Sequence, residues 1–307
     1  MHSNSSRSPR RLRSGLGFLA IAASAALVLT GCVQNNEGGA PGGTDAAPVA
    51  EVTKSDAASA LVPEDIASGG VLKVGTDATY APNQYAGPDG NPIGWEVELV
   101  DAVGAKLGLT VEWSKEGFDQ IIPKVDGGTL HMGSSSFSDT VERQASVDFV
   151  DFYEAGLQFV RGAEVDPLPA ELCGLTIGAQ ATTTSDDYLM AKSDECVAAG
   201  KPAVEILKKD GQDEATNDVV LGNVPYMLAD SPIAQNSVKL SEGKVVLEGD
   251  IFDAAPYGLV FAKDSQLTEA VKIAMQELMD EGVYTTILEN WGVEAGAVTT
   301  AVINGVK

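Results

Sequence analysis

An α/β fold of two lobes is predicted by three features of the chain. Its 307 residues exceed one average domain, and 44% of them are hydrophobic, enough for a substantial core. Apolar residues alternate between strand-like and helix-like spacing. That alternation comes in two successive blocks, one from Val71 to Ser136 and one from Leu175 to Gly292. Strands interleaved with helices indicate a mostly parallel sheet wrapped by helices, once per block.

The first block opens with VLKVGTD (71–77), a short apolar run that ends in turn chemistry. WEVELVDAVGAKLGL (95–109) carries its apolar residues at helical spacing, with Gly108 placed to end the helix. TVEWS (110–114) reads as a strand, FDQIIPKVDGG (118–128) as a helix stopped by glycines, and LHMGSSS (130–136) as a further strand containing His131. The second block repeats the pattern. LTIGAQ (175–180), AVEIL (203–207) and VPYMLAD (224–230) are strands, and TTSDDYLMAKSD (183–194), DEATNDVVLG (213–222) and SPIAQNSV (231–238) are helices. After APYGLVFAK (255–263) an amphipathic stretch runs to Gly292.

Residues 1–31 read as an export signal: four arginines and no acid, then an apolar run from Gly15 to Leu29 that is too short to span a membrane. The run ends in Leu29-Thr30-Gly31-Cys32, which resembles the lipobox of bacterial lipoproteins and implies lipidation at Cys32. Residues 32–68 are rich in Gly, Ala, Pro, Ser and Asp and are expected to form a flexible tether, with ordered structure starting near Val71. Export places Cys173 and Cys196 in an oxidising compartment, where a disulfide between them is the expected state.

The formal net charge is -24, and -28 once the signal is removed, which argues against nucleic acid as a partner. His131 is the one histidine beyond the signal, so neither a histidine-rich metal site nor a Ser-His pair is easily built. Phosphate-binding glycine loops and a nucleophile elbow are missing too.

Polar chemistry gathers at three strand ends, where open α/β sheets bind ligands. In SSSFSDTVERQ (134–144), Ser136, Ser138 and Thr140 offer donors, Asp139 or Thr140 can cap the next helix, and Arg143 lies in its first turn. A cation there opposes the helix dipole, so either an anionic ligand or a salt bridge to Glu142 or Asp148 must account for it. In GAQATTTSDDY (178–188), Thr182, Thr183 and Thr184 repeat the hydroxyl theme, and capping alone explains one or two of them. In LADSPIAQ (228–235), Pro232 suits the first helical position, which makes Ser231 the cap and leaves the Asp230 carboxylate either to hold an ammonium or to stand exposed in a turn. Tyr80 and Phe118 can wall a ligand or simply pack in the core.

Taken in order, LKVGTDATYAPNQY, GNPIGWEVELVDAVGAKLGL, FDQIIPKVDGG, SDTVERQASVDFVDFY, TIGAQATTTSDDYL, LADSP, APYGLVFAK and MDEGVYTTILENWG resemble the extracellular solute-binding proteins of polar amino acid ABC transporters, solute-binding family 3. The resemblance covers Val71 to Gly292. It implies a type II periplasmic-binding-protein fold, with a hinge of two crossing strands near YEAGLQFV (153–160) and APYGLVF (255–261). On this basis lobe 1 comprises 69–156 and 259–307, and lobe 2 comprises 157–258. It further implies that Arg143 clamps an α-carboxylate with help from Ser136 and Ser138. Thr183 contributes from the second lobe, Asp230 holds the α-ammonium, and Asp77, Tyr80 and Phe118 line the side-chain pocket. Gln180 stands where some members have a ligand-contacting lysine, Asn83 replaces a common aromatic, and Thr182 replaces a glycine, so side-chain specificity stays open.

The implied protein is a monomeric, lipid-anchored receptor on the extracytoplasmic face of the membrane, which delivers an amino acid to an ABC transporter permease and needs no cofactor. Two other readings use the same fold: an enzyme like cyclohexadienyl dehydratase, with Asp77 or Glu96 as acid or base, and a ligand sensor.

Overall fold

The computed structural model describes residues 47–307; the expected export signal, Cys32 and the first part of the expected tether lie outside them. Two short helices, α1 (Asp56–Ser59) and α2 (Glu64–Gly69), lead into the first lobe. That lobe contains β1 (Val71–Thr76), the small strands β2 (Thr79–Tyr80), β3 (Gln84–Ala86) and β4 (Pro92–Ile93), and helix α3 (Trp95–Leu107). It continues through β5 (Thr110–Lys115), α4 (Phe118–Asp126), β6 (Met132–Ser138) and the single turn α5 (Val141–Gln144). The long strand β7 (Val147–Gly162) crosses to the second lobe, built from β8 (Thr176–Gln180), α6 (Thr184–Ala198), β9 (Glu205–Lys209), α7 (Gln212–Val220), β10 (Tyr226–Asp230) and α8 (Ser231–Leu240). Strand β11 (Val245–Ala262) crosses back, and α9 (Gln266–Asp280), α10 (Val283–Trp291) and β12 (Ala297–Ile303) complete the first lobe.

Among the described residues, nine strands form one sheet in the order β5-β1-β6-β11-β7-β10-β8-β9, with β12 pairing β7. Strand β1 runs parallel to β5 and β6, and β8 runs parallel to β9 and β10. The two crossing strands are antiparallel to each other from Val245 opposite Gly162 to Ala262 opposite Val147. Their register breaks between Glu248 and Phe252 and again between Phe252 and Ala255, opposite Ala155–Leu157. We place the lobe boundary there. Residues 255–258, expected in the second lobe, instead lie on the first-lobe side: Tyr257 and Gly258 pair with Ser138 and Phe137 of β6.

Strand alternation distributes the core over both faces of the sheet. In β10, Met227 and Ala229 pack with Val160, Val219 and Ile233, while Tyr226 and Leu228 pack with Ile177, Leu189 and Phe159 on the other face. In β7, Val150 and Phe152 join Trp95, Leu99 and Val271, whereas Val147 and Phe149 join Ile121, Val125 and Phe137. Helix α3 ends as its sequence predicts, with Gly108 in the left-handed conformation (φ 72°) and its N–H bonded to Ala105 and Gly104 carbonyls. The C-terminal amphipathic stretch forms two helices rather than one, because the chain turns at Gly282 with φ 78°. His131 precedes β6 instead of lying within it, and its Nδ1 accepts a bond from the Lys73 N–H at 3.1 Å.

The tether expectation is corrected for residues 51–69. Ala58 is fully buried, and Val62 and Ile66 are buried beside Leu107 and Leu109. Ser55 caps α1, its N–H donates to the Lys106 carbonyl at 2.8 Å, and its hydroxyl donates to Glu277 at 2.8 Å. Lys106 is itself buried and pairs with Glu277 (3.4 Å) and Glu281 (2.5 Å). Upstream, Ala47 exchanges two 2.8 Å hydrogen bonds with the Asn290 side chain on α10. Few large apolar residues suffice here because Ala58, Val62 and Ile66 join the core and Ser55 bonds to both α3 and α9.

Cys173 and Cys196 are bonded, and tie the segment before β8 to the end of α6. The closed loop spans 23 residues, for which chain entropy contributes roughly 3 kcal/mol. A Cys173→Ser, Cys196→Ser variant is therefore expected to lose roughly that much in denaturant unfolding, with reductant adding no further loss.

Candidate functional site

The sequence brings Arg143 to the cleft by a short local device. Strand β6 ends at Ser138, Thr140 Oγ1 accepts the Arg143 N–H at 3.2 Å, and the resulting turn aims the side chain back over the strand end. Nη1 donates to the Ser138 carbonyl at 2.9 Å, and Nη2 reaches across to the Thr182 carbonyl of the second lobe at 3.3 Å. The guanidinium carbon lies 5.7 Å from the Phe118 ring centre and 5.6 Å from that of Phe137, two rings stacked at 4.5 Å. Helix α5 is a single turn, so dipole arguments carry little weight there. The salt-bridge alternative fails on geometry: among the described residues no carboxylate pairs with Arg143, and Asp148 is held by Lys263 at 2.8 Å. Burial pushes the guanidinium below its ordinary value, opposed by the charges of Asp187, Asp230 and Glu142.

Asp230 ends β10 from the other lobe. It occupies the cap position of α8, which begins one residue earlier than the sequence suggests, yet its side chain makes no capping bond. Instead Oδ2 accepts the Tyr80 hydroxyl at 2.8 Å and the Tyr257 hydroxyl at 2.7 Å, while Oδ1 has no hydrogen-bond partner among the described residues. Burial raises the acid above the ordinary aspartate value, against the pull of both hydroxyls and of Arg143. The same burial, followed by the Asp230 charge, lifts both phenols well above 10.

These groups line one small space, about 220 Å3 including solvent at its mouth, bounded by Tyr80, Phe118, Ser135, Ser136, Ser138, Arg143, Thr183, Thr184 and Asp230. Seven of the sequence-predicted residues are thus brought together. The other two, Asp77 and Gln180, sit beside it as a second contact between lobes. Asp77 Oδ2 accepts from Thr79 (2.5 Å) and from Gln180 Nε2 (2.8 Å), and its N–H donates to Ser135 Oγ at 3.1 Å. Thr79 Oγ1 in turn accepts the Gln212 N–H at 3.0 Å. Burial raises the Asp77 acid, partly offset by the bonds from Thr79 and Gln180. Gln180 Oε1 is buried without a hydrogen-bond partner among the described residues.

Behind the serines lies a buried polar network. Glu96, fully buried, accepts Ser134 Oγ (2.7 Å), Ser136 Oγ (2.6 Å) and two bonds from the Ser136 N–H (3.1 Å each). Burial raises its acid, and the serine donors hold it down. Asn83 accepts Trp95 Nε1 and donates to Ser136 Oγ, both at 2.8 Å, so it buttresses the strand end instead of lining the cavity. Ala78, Ser136 and Thr182 all take left-handed backbone angles (φ 56°, 51° and 62°). Such strain costs about 1 to 3 kcal/mol per residue and persists where surrounding bonds over-determine it. At Ser136 it breaks strand alternation. The Ser136 hydroxyl is taken up by Glu96, and Ser135, which a period-two reading passes over, reaches the cavity wall. Tyr257 was also missed, since an aromatic within APYGLVF reads as core.

The profile of the bacterial extracellular solute-binding proteins, family 3, matches residues 72–294. An arginine-binding protein of Corynebacterium glutamicum is 36% identical over 296 residues, covering 93% of this chain and 95% of that protein. An ancestral arginine-binding protein, solved with arginine bound, superposes with a TM-score of 0.67 at 31% identity, over 72% of this chain and 98% of that one. An ancestral amino acid-binding protein described as a precursor of cyclohexadienyl dehydratase gives the same TM-score at 27% identity, over 74% and 98%. With two α/β lobes, two crossing strands and a profile match over most of its length, the chain belongs to the bacterial extracellular solute-binding proteins, family 3.

Proposed function

We propose that the protein is the lipid-anchored, extracytoplasmic binding component of an ABC importer for a cationic amino acid, with arginine foremost. One observation carries the reading: Arg143 and Asp230 enter the same cavity from opposite lobes, and neither is neutralised by a charged side chain within salt-bridge distance among the described residues. A zwitterion answers both, carboxylate to guanidinium and ammonium to aspartate. Asp77 and Asp187 add negative charge near the cavity, which favours a ligand with a cationic side chain, as does the likeness to arginine-binding proteins.

Because the poles belong to different lobes, the ligand stabilises the state in which they approach, and a permease reads that state. Lipidation at Cys32, which lies outside the described residues, holds the monomer at the membrane. An enzyme reading draws on the dehydratase-precursor likeness. Against it, Glu96 spends its oxygens on serines and does not line the cavity. Isothermal titration of the ligand-free protein against each amino acid tests the proposal. Arginine should bind with Kd on the order of micromolar or tighter, near -8 kcal/mol. Absence of heat with every amino acid, or turnover of prephenate or arogenate, would remove it.

A further inference from the structure

Two carboxylates are buried together at the base of the Arg143 turn, Asp139 at 1% exposure and Asp151 at 5%. Asp139 follows β6, and its N–H donates to the Pro256 carbonyl of the crossing strand β11 at 2.8 Å. Its carboxylate accepts two bonds from Gln144 Nε2, at 2.8 and 2.9 Å, and one from the Val306 N–H at 3.3 Å. Asp151 lies on β7, the other crossing strand, and its Oδ2 accepts the next amide of the same C-terminal segment, Gly305 N–H, at 2.8 Å. Its Oδ1 is buried with no hydrogen-bond partner among the described residues. Gly258 makes room for that oxygen, since a Cβ there would fall 2.8 Å from it. The two carboxylates accept successive amides of one segment, Gly305 and Val306, which sets them side by side.

Two anions in this space would repel, and would leave the buried Oδ1 with nothing to bond. A single proton resolves both. We infer that on the acid side of neutrality Asp151 carries that proton, donates it through Oδ1 to the Asp139 carboxylate, and with Asp139 forms a pair that positions the Arg143 turn for ligand. Burial first and the Asp139 charge second push the Asp151 acid up to about 7.

The other charges packed here do not supply a counter-ion to the pair. Asp148 on β7 is neutralised by Lys263, which also donates to the Gln144 carbonyl at 2.8 Å. On α5, Glu142 is exposed and Arg143 reaches the cleft. From β12 onward the chain carries only Lys307.

The coupling runs through Gln144, which grips Asp139 from the same turn that holds Arg143. Since the folded-state value lies above that of a free aspartate, the stability this pair contributes falls as pH rises from about 4 to about 7. A ligand that clamps the turn favours the protonated pair, so affinity falls as pH crosses 7. Asp230 and Asp77, also raised by burial, act with the opposite sign, because their ionisation strengthens the hold on a cation.

The binding arm of the test rests on the amino-acid reading above; the spectroscopic arm does not. Carboxyl carbon NMR of the full chain should show Asp151 titrating with a midpoint near 7, with the Arg143 and Gln144 amide signals moving at the same midpoint. In Asp139→Asn the Asp151 midpoint should drop towards the ordinary range. Arginine affinity of the wild type should weaken about fivefold from about pH 6 to about pH 8.5, at the low end of coupling between sites, and Asp151→Asn should remove that fall while keeping the affinity measured at the lower pH. An Asp151 midpoint near 4, amide signals that ignore it, or an Asp151→Asn variant with the wild-type pH profile would each overturn the inference. If arginine fails to bind at any pH, the functional reading falls, and the carboxyl and amide titrations still decide the pair.

Discussion

Arg143→Ala is expected to abolish amino acid binding while leaving the ligand-free fold about as stable as before. Truncating one partner of a buried, hydrogen-bonded charge pair costs about 2 to 5 kcal/mol, or roughly 30-fold to several thousand-fold in Kd. The stability side is less obvious. Arg143 gives up two carbonyl bonds and its place over Phe118 and Phe137, worth about 2 kcal/mol for a desolvated cation over a ring. Against that, the variant no longer desolvates a guanidinium that has no acid partner. The two roughly offset, so the midpoint of thermal unfolding should move little. Arg143→Lys keeps the charge and loses the planar fork, and should recover only a small part of the affinity. Titration calorimetry on both variants checks the first statement, and denaturant unfolding without ligand checks the second. Full affinity in Arg143→Ala would end the zwitterion reading.

Asp230→Asn should likewise remove binding, because an uncharged amide replaces the carboxylate that meets the ammonium. Losing a charge-assisted bond costs about 1.5 to 3 kcal/mol, and an amide hydrogen turned towards an ammonium adds repulsion. Stability should move the other way. The amide oxygen can still accept the Tyr80 and Tyr257 hydroxyls, and no buried charge remains to be desolvated. In the wild type the folded-state acid lies above its unfolded value, so its contribution to stability is lost as pH rises through the folded-state midpoint. The variant should therefore be more stable than the wild type at neutral pH, with the gap closing in acid. Asp230→Ala makes the contrast: two buried phenols are left without an acceptor, at about 1 to 3 kcal/mol each, and stability should fall. Thermal midpoints of the three proteins measured from acid to neutral pH separate these outcomes.

The core elements were legible because their periodicity is strong. Helix α3 and strand β10 carry alternating or helical apolar patterns that survive into the folded core nearly residue for residue. Arg143 and Asp230 stood out because neither was needed by the helix beside it, and that is also why the structure places them in one cavity. What escaped did so for physical reasons. The crossing strand β11 is largely exposed or half-buried from Val246 to Pro256, so no apolar alternation marks it, and its order comes from pairing with β7. The helices α1 and α2 dock through three scattered apolar residues, Ala58, Val62 and Ile66, and through the bonds of Ser55, which composition alone reads as a linker. The left-handed turn at Ser136 brings Ser135 to the cavity wall beside it, and no local signal announces a positive φ at a non-glycine residue.

The docking of the N-terminal segment has a mechanical consequence. Ala47 is tied to α10, and Ser55 to α3 and α9, all on the first lobe. Any tug arriving from upstream is therefore absorbed by one jaw, through anchor points remote in sequence from the crossing strands. Among the described residues the other jaw makes none of these bonds, so a pull on residues 47–55 would leave its swing unloaded.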